Sequence, residues 1–228
     1  MAGILYVVAT PIGNLGDMSS RAVDVLSKVD LIASEDTRVT RRLLSHFEIE
    51  NRCISYHDKN EIYRAEELVN LLCESNSVAL VSDAGTPCIS DPGYRIVNLA
   101  KRSGIEVVTI PGASAVTAAL SISGLPTDHF FFEGFLPKKK GRKTRLKFLS
   151  ELEASVVIYE SPMRIIKTLN DISGCMGSNR VLSVCREITK KFEESFMGTV
   201  EEAIAYFSQK NPKGEFVIVI AKDGYDLK

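Results

Sequence analysis

Histidine, the usual proton carrier at neutral pH, is scarce: the chain holds only His46, His57 and His129. None stands at a spacing that proposes a serine–histidine–aspartate or histidine–cysteine arrangement. His57, in YHDKNE, has polar neighbours and is the candidate for proton work. His46 reads as helix surface and His129 as the start of a strand. Chemistry that needs little acid–base help fits this poverty. What the chain does have is stiff, glycine- and proline-bearing backbone, in TPIGNLGD (10–17), SDAGTPCISDPG (82–93) and IPGASA (110–115). Each follows a strand-like run, and each can present N–H and C=O groups to a flat, polar ligand. No G-x-x-x-x-G-K-[ST] and no G-x-G-x-x-G occurs, so neither a phosphate-cradling loop nor a dinucleotide site is supported.

Two charged stretches suggest a polyanion. In SEDTR (34–38) a strand becomes a helix, and Arg38, Arg41, Arg42 and Ser45 then share a face at i, i+3, i+4 and i+7. That face is either plain solvated helix or a phosphate-binding surface. In KKKGRKTRLK (138–147) seven of ten residues are Lys or Arg and none is acidic, although the whole chain carries a formal charge of −1. Such a concentration repels itself unless an anion arrives, and the glycine suggests a mobile arm. Lys138, Lys139, Lys140, Arg142, Lys143 and Arg145 are therefore the expected nucleic-acid contacts. The near-neutral total excludes a uniformly basic binder. The five cysteines form no C-x-x-C pair, which argues against a zinc site or a disulfide framework; reduced, mostly buried thiols are expected.

The elements that must position these groups alternate in the first half. ILYVVAT, DLIAS, RCISY, SVALVS and EVVTI read as strands, separated by amphipathic helices near 22–29, 37–47, 61–73 and 94–102. That grammar predicts a mainly parallel sheet covered on both faces, with its ligand beyond the carboxyl ends of the strands. ISDPG is expected mainly to turn the chain into the helix at 94. After one more helix (114–123), SGLPTD marks a boundary. HFFFEGF, SVVIYES, RVLSVCREI, KFEESFMGTV and GEFVIVIA then read as strands of a mixed sheet, with the third and fourth as a hairpin and, after LPKKKGRK, a helix to about Glu153. Two α/β domains are expected, 1–124 and 125–228. No apolar run reaches the roughly 20 residues of a membrane span, and MAGILYVVAT lacks a basic leader, so a cytoplasmic protein is expected.

The segments VATPIGNLGDMSSRA, ASEDTR, VSDAGTPCISDPG, IPGASAVTAALSISGLP, FFFEGFLPKKKGRK, IYESPMRI and REITKKFEE, in this order, resemble the tetrapyrrole methylase superfamily. Within it they resemble the branch that methylates small-subunit ribosomal RNA. The resemblance implies two α/β domains with S-adenosylmethionine in the cleft between them, and a homodimer. It implies methyl transfer to the ribose 2′-oxygen of a cytidine in the decoding region, on free RNA or on the assembled small subunit. By position it implies cofactor contacts from Pro11, Ser82, Asp83, Ala84, Gly85, Ser114 and Ala115, and from Glu160, Ser161, Arg186, Gly214 and Glu215. Glu187 or His57 is expected to accept the ribose proton, with Lys190 stabilising alkoxide charge, and no metal is implied. Met163 and Lys59 stand where the family more often has histidine, which puts a histidine role there in doubt. Rival readings are a methylase of small tetrapyrrole precursors on the same fold, and a non-catalytic RNA-binding or ribosome-assembly factor.

Overall fold

The structure is a computed structural model and describes residues 3–210 and 213–227. The chain divides into two compact units, Met1–Ser114 and Ala115–Lys228.

The first unit runs β1 (Ile4–Val8), α1 (Ser20–Lys28), β2 (Leu31–Ser34), α2 (Thr37–His46), β3 (Cys53–Ser55), α3 (Glu61–Cys73), β4 (Val78–Val81), α4 (Tyr94–Arg102) and β5 (Glu106–Ile110). Its strands lie in the order β3-β2-β4-β1-β5, and every pairing is parallel. Alternation along the strands divides the core. Val8, Ile32, Ala79 and Val81 pack with Ala22 and Leu26 of α1 and Leu44 of α2. Leu5, Ala33, Val78 and Leu80 pack on the other face with Leu68 and Leu72 of α3 and Ile96 and Ala100 of α4. The chain therefore moves outward to β3 under one pair of helices and returns to β5 under the other. Right-handed crossovers require this change of face when the direction of travel reverses. Ser19 caps α1 by accepting from the Ala22 N–H, and Asp36 caps α2 by accepting from the Arg38 N–H.

The second unit runs α5 (Ala115–Ile122), β6 (Phe130–Phe135), α6 (Arg142–Ser150), β7 (Ser155–Glu160), α7 (Ile165–Met176), β8 (Val181–Arg186), β9 (Glu194–Thr199), α8 (Val200–Ser208) and β10 (Phe216–Ile220). The sheet order is β6-β7-β10-β8-β9, with β6 parallel to β7 and all other pairings antiparallel. The mixed sheet and the β8–β9 hairpin agree with the sequence reading. The division after Ser114 rather than after 124 reflects α5, which lies against β10 of the second unit. Burial of the thiols differs from expectation. Cys185 is buried, Cys53 and Cys88 are half-buried, and Cys73 and Cys175 are exposed at helix surfaces.

Candidate functional site

Because all first-unit strands run the same way, their outgoing loops share one edge. β4, β1 and β5 are adjacent, so Thr10–Pro11, Ser82–Gly85 and Pro111–Ser114 are neighbours. They are tied backbone to backbone. The Thr10 N–H donates to the Gly85 carbonyl at 2.9 Å, and the Gly85 N–H returns to the Thr10 carbonyl at 3.0 Å. The Thr86 hydroxyl donates to the Ala113 carbonyl at 3.1 Å, and the Thr10 hydroxyl to the Ser82 carbonyl at 3.2 Å. Gly85 has φ +84°, and a Cβ there would stand 3.3 Å from the Ile12 side chain. A side chain at Gly85 is disfavoured by its backbone and this packing, so main chain is presented there, with Asp83 and Ala84 exposed and Pro11, Ser82 and Gly85 buried beneath.

Carboxylates crowd the same edge. The Asp36 N–H donates to the Asp83 carboxylate at 2.9 Å, which joins the loops after β2 and β4. Burial raises the Glu35 carboxyl, with the Asp83 charge adding to it. Burial likewise raises Asp83. Asp91 is pushed up to about 6, first by burial and then by the Glu35 charge, against an opposing Ser82 hydrogen bond. ISDPG thus does more than turn the chain, since its aspartate faces Ser82 and Glu35. Its approach is strained: Cys88 and Ser90 have φ +71° and +64°. The signal in the sequence was the second aspartate of SDAGTPCISDPG, which turn chemistry alone accounted for.

His57 follows β3, the outermost strand, so β2 separates it from the Ser82–Gly85 loop by two strand spacings, about 10 Å. Its N–H donates to the Asn60 side chain at 2.9 Å, and its Nε2 lies 3.4 Å from the Asn60 amide. It stands at the outer margin of this edge, where its neighbour Asp58 adds to the charge felt by Glu35 and Asp91. Arg38, Arg41 and Arg42 form the exposed face of α2, but Arg38 folds back onto Asp36 in an ion pair. Arg41 and Arg42 have no carboxylate partner within ion-pair distance among the described residues.

The second unit also gathers its candidates on one edge. Phe216 stands opposite both Glu160 and Arg186, Arg186 opposite Glu194, and Phe135 opposite Tyr159. The segments 136–141, 161–164, 187–193 and 213–215 therefore all leave the sheet on the same side. Glu160 is buried and satisfied by the Ser161 N–H at 2.7 Å, the Thr168 hydroxyl at 2.6 Å and Arg164 at 2.8 Å. Glu187 and Thr189 adopt φ +51° and +67° in the tight β8–β9 turn. The Glu187 carboxylate accepts from the Glu215 N–H at 2.9 Å and from Lys190 Nζ at 3.0 Å. Lys190 also reaches Glu215 at 2.9 Å. Burial works to raise Glu187, but the Glu215 N–H and Lys190 outweigh it, so the carboxyl lies below its ordinary value. Burial likewise opposes charge on Lys190, yet Glu215 and Glu187 hold it above the ordinary lysine value. Gly214, at φ +90°, leaves room for this arrangement: a Cβ there would stand 2.4 Å from the Glu187 side chain. Arg186 donates to the Lys213 carbonyl at 2.6 Å and to Glu194 at 3.1 Å.

The basic stretch is not one mobile arm. Gly141, in the left-handed region, starts α6, and the following residues are helical. Arg142 is only 6% exposed. Its guanidinium donates to Asp171 at 2.7 Å, to the Thr168 hydroxyl at 2.7 Å and to the Pro137 carbonyl at 3.2 Å. Arg145 is paired with Glu133 at 2.8 Å and lies over the Phe131 and Phe148 rings. Both arginines are committed to internal partners, which corrects their assignment as RNA contacts. Lys138, Lys139, Lys140 and Lys143 are exposed.

A parallel sheet with main-chain loops at its carboxyl edge, joined to a mixed five-stranded unit, defines a two-unit α/β methylase. The chain belongs to the tetrapyrrole (corrin/porphyrin) methylases, whose family model matches residues 4–204. It is 53% identical over 220 residues to the ribosomal RNA small subunit methyltransferase I of Synechocystis sp., covering 96% of this chain and 79% of that one. It is 46% identical over 219 residues to the protein of that name from Thermotoga maritima, covering 96% and 98%. Among solved structures, a diphthine synthase superposes with a TM-score of 0.76 over 98% of this chain and 91% of that one, at 15% identity. Uroporphyrin-III-C-methyltransferase from Thermus thermophilus gives 0.67 over 96% and 94%, at 17% identity. Those two likenesses speak to the fold.

The methyl donor of this family is S-adenosylmethionine, which when bound supplies an electrophilic methyl carbon on a sulfonium. The first-unit edge fits such a molecule. Its main-chain groups suit a flat base and ribose hydroxyls, and carboxyls raised by burial and by neighbouring carboxylates favour a cationic ligand.

Proposed function

We propose that this methyltransferase transfers a methyl group to the ribose 2′-oxygen of a cytidine in the decoding region of small-subunit ribosomal RNA. The observation that carries the reading is the second-unit edge, where exposed Lys138, Lys139 and Lys140 stand on the same side of the sheet as the Glu187–Lys190 pair. A small tetrapyrrole needs no such row of lysines. The names of the relatives at 46–53% identity support the same substrate class.

Pro11, Ser82 to Gly85 and Ser114 hold the donor through main-chain groups, with Ala115 continuing that segment. Holding donor and acceptor in near-attack geometry supplies much of the acceleration, up to about 7–11 kcal/mol in favourable models. Glu187, ionised through neutral pH, takes the hydroxyl proton as the new carbon–oxygen bond forms. Lys190, kept protonated, offsets charge developing on that oxygen. Glu160, Ser161, Arg186, Gly214 and Glu215 act by fixing this turn and its neighbours. Arg41 and Arg42 with the exposed lysines position phosphates without reading sequence.

No described helix is long and apolar enough to cross a membrane, and we place the reaction in the cytoplasm, where ribosomes are. A homodimer is proposed as well; exposed Ile62, Tyr63 and Tyr94 at the starts of α3 and α4 offer an apolar patch for it, which mass measurement in solution tests. The function itself is tested by mapping ribose methylation in small-subunit RNA and in assembled subunits, with and without the protein. A new methyl on one cytidine is expected. Methylation of a tetrapyrrole precursor and not of RNA overturns the reading.

A further inference from the structure

The second-unit edge carries a feature that phosphate binding does not use. Large apolar side chains are exposed there: Phe192 at 63%, Met163 at 95% and Phe135 at 57%. Phe192 sits at the tip of the β8–β9 turn, two residues from Lys190 and five from Glu187. The turn is held closed. The Lys190 N–H donates to the Glu187 carbonyl at 2.9 Å, the Glu193 N–H to the Lys190 carbonyl at 3.1 Å, and the Thr189 N–H to the Glu193 carboxylate at 2.7 Å. With Glu187 and Thr189 in the left-handed region, these bonds maintain strain in order to fix where the tip points. Lys191 lies over the Phe192 ring, its Nζ 5.7 Å from the centroid. It has no carboxylate partner within ion-pair distance among the described residues.

We propose that Phe192 is a stacking platform for a nucleobase of the RNA, the methylated nucleotide or its immediate neighbour, with Lys191 against the adjoining phosphate. The inference rests on the ribosomal RNA reading above and names the residue that seats the base. Sequence-specific recognition of RNA favours single-stranded nucleotides whose bases are splayed out, and an unstacked base beside the reacting ribose needs a new face to lie on. An aromatic ring, a lysine and a rigid turn a few residues from the proton acceptor meet that need. Scattered exposed apolar residues are ordinary on protein surfaces, but a ring fixed at the tip of a strained, basic turn is a different case. Phe192 acts on binding and placement; the reacting atoms belong to other groups.

The test uses the full chain and a fluorescent fragment of small-subunit RNA that the wild type methylates. Phe192→Ala and Phe192→Leu should weaken RNA affinity about 5- to 150-fold, the range for losing one base–aromatic stack, while Phe192→Tyr stays close to wild type. Stacking releases no counterions, so the salt dependence of Phe192→Leu should match wild type. Lys191→Ala should instead flatten the slope by about one unit. S-adenosylmethionine affinity should be unchanged in all four. Phe192→Leu binding RNA as wild type does overturns the proposal, as does a change of oligomeric state in Phe192→Ala, which assigns the ring to a protein interface. No RNA binding or methylation by the wild type overturns the substrate reading itself, and the platform with it.

Discussion

The two sheet edges handle charge in opposite ways. On the first-unit edge Glu35, Asp83 and Asp91 face one another and main chain, and all three carboxyls are raised. On the second-unit edge Glu187 is lowered and Glu194 lies at about 2; burial pushes against both, and lysine, arginine and tyrosine partners prevail. The first edge holds one cation, Arg38, which pairs with Asp36 and only partly offsets Asp83. Glu35 and Asp91 keep raised carboxyls beside no cationic partner among the described residues, which suits a cationic ligand. The other neutralises its acids internally and leaves lysines projecting, which suits a polyanion. The same carboxylate chemistry thus suits opposite ligands, according to how many cations the fold supplies beside it.

The sharpest way to break this division is at Glu187. Glu187→Gln keeps the shape and an acceptor for the Glu215 N–H but cannot take a proton. Turnover at saturating cofactor should fall about 10²–10⁴-fold, with cofactor affinity unchanged. Because the wild-type carboxyl lies below its ordinary value, wild-type activity should hold at mildly acidic pH and fall only below the normal glutamate range. Near-normal turnover of the variant removes Glu187 as the proton acceptor.

Next in size is Arg142. Removing one partner of a buried ion pair costs about 3–5 kcal/mol, so Arg142→Ala should markedly lower the melting temperature. Alanine at Lys138, Lys139 and Lys140 should leave stability within about 0.5 kcal/mol, since surface changes seldom do more. The triple variant should instead lose RNA affinity and flatten its salt dependence. Equal RNA loss with no loss of stability in Arg142→Ala returns that arginine to the binding surface.

Much of this was legible in the residues, and the failures have physical causes. Short apolar runs located the strands of the parallel sheet, because both its faces are covered, and period-3.6 patterns located helices such as 61–73 and 94–102. The helices α7 and α8 went unread between strands. Yet Thr199 and Glu202 form a capping box, and Val200, Ala203 and Phe207 make a buried stripe. In KKKGRKTRLK composition spoke for all charges together. The partners that bury Arg142 and hold Arg145, Asp171, Thr168 and Glu133, lie 12 to 29 residues away in sequence. Carboxylate crowding was equally invisible, since Glu35 and Asp91 meet only once β2 and β4 are paired.

The smallest predicted effect tests the first edge. Asp91 is raised from 3.8 to about 6 by burial and by the charges of Glu35, Asp83 and Asp58, with Ser82 opposing. Between those values the folded state binds more protons than the unfolded chain. Stability therefore falls as pH rises through this window, and the deficit persists above it. Asp91→Asn removes the charge and keeps the size. It should raise the melting temperature at pH 7.5 by a few degrees, the gain shrinking towards nothing near pH 4, where the native carboxyl is already protonated. A gain that is the same at both pH values attributes it to packing. A loss at pH 7.5 means that a cation supplied by the fold already compensates this edge, and the contrast between the two edges then fails. If the gain appears and cofactor affinity falls with it, the uncompensated charge is what the cationic donor uses, and the first edge is kept less stable for the sake of binding.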